Sequence, residues 1–263
     1  MTKVCIGSII RDREWILPTF FNHIHKLDYP KESIDLIFLF NDISDDSLNC
    51  ISLNAFRDFH SLNLFNLHFG AQPDKRDGKR WERFEHFAFL RNTLKDYFLS
   101  LTKSEYLFTI DSDILVYTHA LKELLSQQKD IISAMVCNDC DKGTYTNALN
   151  QIGIGEPPLA ITRSSTYFTK PEGNSSTPLR MRTSCQFKYK HLTFDQPTLH
   201  PISCDITGAC CLIKREVFEK GVCWGWNSWG EDIYFSNCAK NAGFSLYTMK
   251  GLARHVMNRQ SLS

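Results

Sequence analysis

Four things are missing from this chain, and each narrows what it can be. No segment approaches the roughly 18 consecutive apolar residues that a membrane span needs. The opening Met1-Thr2-Lys3-Val4-Cys5-Ile6-Gly7-Ser8 runs straight into a strand-like stretch, without the apolar core of a signal peptide. A soluble, cytoplasmic protein is therefore expected. Charge of one sign is missing as well: 30 Lys and Arg face 29 Asp and Glu, a formal net charge of +1. That balance argues against non-specific binding to nucleic acids or membranes. The local exception is Lys75, Arg76, Lys79, Arg80 and Arg83, which fall in one stretch. Repeats and low-complexity tracts are absent too, so nothing points to a solenoid or a disordered tail.

Cysteine, by contrast, is plentiful, with ten in the chain. Cys5, Cys137, Cys210 and Cys211 lie inside apolar runs. Without a secretory signal, most of the ten read as reduced core thiols. Cys137-Asn138-Asp139-Cys140 has the spacing of a zinc half-site or a redox pair, but no clear second pair accompanies it.

At 263 residues, 43% hydrophobic and 22% charged, the chain is large enough for one full core. Strand-like and helix-like segments alternate: strands over 4–10, 34–40, 62–68, 106–110 and 130–137, helices over 14–25, 81–99 and 118–126. Pro18 falls near the start of the first helix, and Thr118 is placed as an N-cap. This alternation predicts an α/β fold with a mostly parallel sheet. Residues 138–203 break the pattern. They are rich in Gly, Pro, Ser and Thr, yet Tyr145, Tyr167, Phe168, Phe187 and Tyr189 argue for packing rather than a linker. Regular structure returns with a strand over 206–213, helices over 214–220 and 231–242, Gly243 as a left-handed cap, and a strand over 244–249.

Asp111-Ser112-Asp113 is the most informative motif. It follows Tyr106-Leu107-Phe108-Thr109-Ile110, a run that reads as a buried strand. Ligands of open α/β sheets bind beyond the carboxyl ends of the strands. Two carboxylates there suit Mg²⁺ or Mn²⁺ shared with substrate phosphates. Asp-rich turns also form for purely local hydrogen-bonding reasons.

Glu231-Asp232 is the second constellation. Acidic residues at a helix start complement its dipole. That does not account for Trp224, Trp226 and Trp229 just ahead of them. Aromatic faces beside carboxylates suit sugar rings, and a carboxylate in such a pocket can be tuned as a general base.

Together these parts resemble a GT-A-fold glycosyltransferase of the family 2-like group. The resemblance rests on the first strand and its polar turn, Asn41-Asp42 after the second strand, and Arg91-Asn92 before the metal strand. Asp111-Ser112-Asp113, Thr207-Gly208-Ala209, Gly230-Glu231-Asp232 and the late His255 complete it. The Trp-Gly segment from Trp224 to Glu231-Asp232, followed by Arg254-His255, also resembles the β-1,4-galactosyltransferase group, although Asn227-Ser228-Trp229 loosens the spacing. The resemblance implies a GT-A (Rossmann-like nucleotide-diphospho-sugar transferase) domain over 1–263, with a donor half at 1–137 and an acceptor half at 138–263. It implies a UDP- or GDP-sugar donor and a saccharide or other hydroxyl-bearing acceptor, a nucleic acid included.

In that scheme Asp113 holds Mn²⁺ or Mg²⁺, and Asp111 touches the ribose or reaches the metal through water. His255 completes the metal shell. Asp232 is the base of an inverting transfer, with Glu231 its rival or a ligand for acceptor hydroxyls. Trp229, Trp226 and Gly208 line the substrate. Arg11 or Asp12 and Asn41 or Asp42 form the nucleotide pocket, and Arg91 faces the donor, with Arg83 and His86 as weaker candidates.

Two other classes compete. A sugar-1-phosphate nucleotidyltransferase would carry a Gly-rich basic loop after the first strand, but Ile9-Ile10-Arg11-Asp12-Arg13-Glu14 has no glycine. A carbohydrate-binding protein on the same scaffold would not need both acidic pairs.

Overall fold

The computed structural model describes residues 1–70, 80–138, 146–154, 167–168, 181–182, 187–191, 200–226 and 230–259; for 80–82, 150–154, 167–168, 181–182 and 187–191 it describes the backbone only. In chain order the first part runs β1 (Val4–Ile10), α1 (Leu17–His25), β2 (Ile34–Asn41), β3 (Ser61–Leu67), α2 (Arg80–Leu101), β4 (Tyr106–Ile110), β5 (Ile114–Val116), α3 (Ala120–Ser126) and β6 (Ile131–Ala134). Short strands follow: β7 (Leu149–Ile154), β8 (Tyr167–Phe168), β9 (Met181–Arg182), β10 (Phe187–His191) and β11 (Ile202–Cys204). The chain then closes with β12 (Cys210–Lys214), α4 (Arg215–Glu219), α5 (Glu231–Asn241), β13 (Leu246–Met249) and β14 (Ala253–His255).

Eight strands form the central sheet in the order β11-β13-β6-β12-β4-β1-β2-β3. β4, β1, β2 and β3 are mutually parallel. β12 runs antiparallel between β4 and β6, and β11 is antiparallel to β13. The sheet is thus mixed, with a parallel half that matches the expectation from the alternation. β2 is buried along its whole length, and its stretch from Leu36 to Phe40 reads as an unbroken apolar run.

Two cores flank the sheet. On one face Phe20 and Ile24 of α1 and Leu121 of α3 pack on Ile6, Phe38 and Phe108. On the other, Leu94 and Phe98 of α2 and Phe235 of α5 pack on Ile37, Leu107 and Ile213. Each of the fully buried rings Phe20, Phe38, Phe98 and Phe108 contributes roughly 1.5–3 kcal/mol relative to exposure. Among the described residues no helix is long and apolar enough to cross a membrane.

Several local expectations need correction. The first helix begins at Leu17, not residue 14, with Pro18 in its first turn, where a missing N–H costs nothing. Thr118 is not an N-cap: α3 starts at Ala120, and no side chain caps it. The strand expected over 206–213 begins only at Cys210, because Ala209 takes a left-handed φ of 62° and breaks the extension. Thr207-Gly208-Ala209 is therefore the entry to β12 rather than its body. Gly243 does end α5 with φ +89°.

Candidate active site

β4 delivers Asp111 to the carboxyl edge of the parallel strands. The Asp111 N–H donates to the Ala209 carbonyl at 2.8 Å, and the Asp111 carbonyl accepts from the Ile114 N–H at 2.9 Å. The Asp113 carbonyl accepts from the Val256 N–H at 2.8 Å. This turn is thus tied down from both sides by backbone. β5 pairs antiparallel with β14 and sets His255 opposite Ile114. That short ribbon carries the His255 imidazole to Asp113, with Nε2 3.6 Å from Oδ1. Its other ring nitrogen, Nδ1, lies 3.0 Å from Asn138 Oδ1. From the opposite side, Arg13 Nη2 donates to Asp113 Oδ2 at 3.1 Å. Burial acts to raise the Asp113 carboxyl, but His255 and Arg13 outweigh it and hold the group below its ordinary range. Burial likewise acts to lower His255, and contact with Asp113 reverses the sign.

Arg91 joins this turn to the second constellation. Its side chain comes from α2 and is only 6% exposed. Nη2 donates to Asp111 Oδ1 at 3.2 Å, while Nε lies 3.7 Å from Glu231 Oε1 and 3.9 Å from Asp232 Oδ1. A buried guanidinium needs this much opposite charge around it to stay in place. Burial opposes its charge, but the three carboxylates hold it protonated. For Asp111, burial raises the carboxyl and the Arg91 charge only partly offsets that. For Asp232, burial acts upward and Arg91 downward, Glu231 and Asp111 add to the rise, and the result is about 7.

Backbone contacts explain why the second constellation sits so close. A Cβ on Gly208 would lie 2.1 Å from Asp232 Oδ2, so only glycine lets the entry to β12 pass the carboxylate. Asn147 fixes that segment. Its Nδ2 donates to the carbonyls of Gly208 at 2.8 Å and Ala134 at 3.1 Å, and its Oδ1 accepts from the Val136 N–H at 2.8 Å. Beneath it the hydroxyls of Ser133, Thr207 and Thr248 bond to one another in the core. Asn92 does the same for the aromatic loop. Its amide pairs both ways with Trp224, accepting from the N–H at 3.0 Å and donating to the carbonyl at 2.7 Å. A small pocket opens between Arg91, Thr207, Gly208, Trp224 and Asp232.

The structure thus brings together Asp111, Asp113, Arg91, Gly208, Glu231, Asp232 and His255. Other expected site residues have local duties. Asp12 and Asp42 both adopt left-handed φ, at 48° and 45°, where β1 and β2 end. Asp12 Oδ1 accepts from the Ser44 N–H at 2.8 Å, and Asp42 Oδ1 from the Phe69 N–H at 2.8 Å. Both carboxylates shape the turns that would border a nucleotide. Asn41 is buried, with its amide 3.5 Å from His86 Nε2. Arg11 is half-exposed and lies 3.9 Å from Asp12. Arg83 lies over the Phe87 ring at 5.2 Å.

Of the aromatic set, Trp224 corrects the sugar-wall expectation. It is 5% exposed and stacked on Phe235 at 4.6 Å, so it is a core residue. Trp226 is partly buried and packs on the same cluster. Trp229, Cys140, Tyr145, Lys75, Arg76 and Lys79 lie outside the described residues. Arg13 is the residue that sequence reasoning passed over. Its signal was present: a third charged residue in the turn after β1, two beyond Arg11.

Among the described residues no three His, Cys, Asp or Glu side chains converge into a closed metal cage. The donor set at Asp113 is nevertheless suited to a cation completed by ligand oxygens. It offers a carboxylate held ionised, an imidazole beside it and a second carboxylate two residues away. Four carboxylates (Asp111, Asp113, Glu231, Asp232) face two guanidiniums (Arg13, Arg91). This excess of carboxylate over guanidinium suits a divalent cation.

Comparison with known proteins bears on the family and the fold. The Anp1 family model matches residues 1–151. A glycosyltransferase 25 family member of Aedes aegypti is 27% identical over 152 residues, 55% of this chain and 24% of that protein. The chain spans about a quarter of the length of the curated relatives it matches. Among solved structures, S. aureus TarS in complex with UDP-GlcNAc is 13% identical with a TM-score of 0.51, covering 98% of this chain and 59% of that one. The mannosyltransferase PcManGT from Pyrobaculum calidifontis, in complex with GDP-Man and Mn²⁺, is 12% identical with a TM-score of 0.53, covering 97% of this chain and 57% of that one. These likenesses establish the GT-A fold.

Proposed function

The chain belongs to the Anp1 family, and from that premise we propose that it is a metal-dependent glycosyltransferase acting on a nucleotide-diphosphate sugar. The observation that carries the reading is Arg91. One buried guanidinium lies within 4 Å of Asp111 and of both Glu231 and Asp232. A metal-binding turn and a carboxylate pair therefore face one another across a single charge. That is the spacing a transferase needs, with the donor's diphosphate at one end and the acceptor hydroxyl at the other.

Asp113 and His255 would hold Mn²⁺ or Mg²⁺, with Asp111 beside them or on the donor ribose. When bound, the cation offsets charge on the departing diphosphate. The protein's own groups do the rest. Asp232 accepts the proton of the acceptor hydroxyl while that oxygen attacks the anomeric carbon, and the nucleoside diphosphate leaves from the opposite face. A carboxyl raised to about 7 is poised to take a proton near neutrality. Glu231, paired with Arg91, orients the acceptor. Arg11, Asn41 and the turns built by Asp12 and Asp42 border the nucleoside; Gly208, Trp226 and Trp229 border the sugars. The order of the Trp-Gly segment, Glu231-Asp232 and His255 supports these roles without importing a galactosyl substrate. A UDP- or GDP-sugar is the donor class, in keeping with the ligands of the two solved relatives. We read 1–263 as one catalytic unit, with residues 1–137 on the donor side.

Isothermal calorimetry of nucleoside diphosphates and nucleotide sugars, with and without Mn²⁺, tests this. Binding should require Mn²⁺ and disappear in Asp113→Ala. Asp232→Asn should keep donor binding and lose transfer by about 100-fold or more. Near-normal transfer by Asp232→Asn would remove Asp232 as base and turn attention to Glu231. Sugar binding without any nucleotide binding would favour a carbohydrate-binding protein.

A further inference from the structure

Arg13 and Arg91 both pair with the Asp111-Ser112-Asp113 turn, but they are built differently. Arg91 is enclosed, with 7% of its side chain exposed and three carboxylates around it. Arg13 is 35% exposed, and among the described residues Asp113 is its one ion-pair partner. Its Nη1 reaches only the carbonyls of Arg11 and Asp12, each at 3.4 Å. Its Nε, like that of Arg91, is buried without a hydrogen-bond partner among the described residues. Most of the five donors of this guanidinium are thus poorly used.

The backbone beneath it is fixed. The Arg13 N–H donates to Ser47 Oγ at 2.7 Å, and the Glu14 N–H donates to Asp45 Oδ2 at 3.0 Å. The Asp46 N–H donates back to Glu14 Oε2 at 3.1 Å. A rigid turn therefore carries a side chain with little to hold its tip. That tip sits on Asp113 Oδ2, beside the Oδ1 that faces His255. A guanidinium and a divalent cation on the two oxygens of one carboxylate repel one another.

We propose that Arg13 is an exchangeable countercation: it occupies Asp113 until the metal arrives, then swings on its fixed turn to pair with the donor's diphosphate. This rests on the metal-dependent reading above and adds a positioning role for a residue outside it. Arg13 holds Asp113 ionised and in place before the metal binds, and opposes metal binding in the absence of donor. Once displaced, its planar fork meets phosphate oxygens in a two-bond geometry that a lysine cannot copy. Metal and donor are thereby coupled, because the diphosphate rewards the displacement that the metal requires.

The test separates two affinities that a simple scaffold role would not move in opposite directions. Arg13→Met keeps the stem and removes the charge. Mn²⁺ alone, followed by electron paramagnetic resonance of the free ion, should bind the variant about threefold to tenfold tighter than wild type. UDP and GDP, titrated calorimetrically at saturating Mn²⁺, should bind about tenfold weaker. Arg13→Lys should restore the weaker Mn²⁺ binding but only part of the diphosphate affinity, and it serves as the reading if Arg13→Met fails to fold. Unchanged or weaker Mn²⁺ binding in Arg13→Met, or unchanged diphosphate affinity in either variant, overturns the role of Arg13. Absence of Mn²⁺ binding in the wild-type protein overturns the metal-dependent reading itself, and this inference with it.

Discussion

Asp232, the base proposed above, carries a cost in stability. Burial and the neighbouring Glu231 and Asp111 raise its carboxyl to about 7, against the pull of Arg91. In the unfolded chain the same group titrates near an ordinary value of about 4. Between those points the folded state keeps a proton that the unfolded state has lost. Stability at this site therefore falls as pH rises from about 4 to about 7. Asp232→Asn removes that penalty. With the side chain 33% exposed, solvent screening leaves roughly 1 kcal/mol, or about 2–4 °C for a chain of this length. We expect the variant to melt higher than wild type at pH 8 and to match it at pH 4. The acid limb of kcat/KM for the wild type should fall near 7, not near 4. A variant that melts lower at pH 8 would mean that the ionised carboxylate is a net stabiliser through Arg91.

Elements place these residues, and they differ in how far the sequence discloses them. β1, β2 and β4 are legible because both faces are covered and the runs are mostly apolar. The Asp111-Ser112-Asp113 turn follows directly from where β4 stops. The approach of His255 is not legible from pattern. β5 and β14 are three residues each, too short for any periodicity, and only their pairing brings the imidazole to Asp113. Arg13 is hidden for another reason: left-handed Asp12 turns the chain, so strand alternation no longer predicts where the next side chain points. Trp224 misleads because an aromatic beside glycine in a loop looks like a ligand wall, whereas the Asn92 amide draws that loop into the core. Gly208 is the element-scale test. Gly208→Ala would set a methyl 2.1 Å from Asp232 Oδ2 and must push either the carboxylate or the entry to β12. Transfer should fall by about 100-fold or more while circular dichroism stays near wild type, as expected when a reacting group is displaced by about 1 Å. Transfer within a few-fold of wild type would show that the site tolerates a shift of its base.

At the scale of the whole molecule, near-neutral net charge conceals an uneven distribution. The chain carries +1 overall, yet four carboxylates and only two guanidiniums meet at one edge of the sheet. Those carboxylates come from the turn after β4 and the start of α5, and the guanidiniums from the turn after β1 and from α2. The site is therefore a junction of elements distant in sequence, and like charge there opposes their assembly. A cation bound only by the folded arrangement must stabilise all of them together. The melting temperature should then rise with Mn²⁺ concentration in wild type, following the logarithm of metal over its dissociation constant, and revert on chelation. At a 100-fold excess over that constant the gain is about 2.7 kcal/mol, or roughly 5–10 °C for a domain of this size. Asp113→Ala should abolish the metal response while melting within a few degrees of wild type without metal, because Arg13 is partly exposed and solvent screens the charge it leaves unpaired. A nucleoside diphosphate should add a further rise only where Mn²⁺ is present. An equal rise from nucleotide without metal would place the dominant anion contacts on Arg13 and Arg91 and make the acidic turn a brace for those cations.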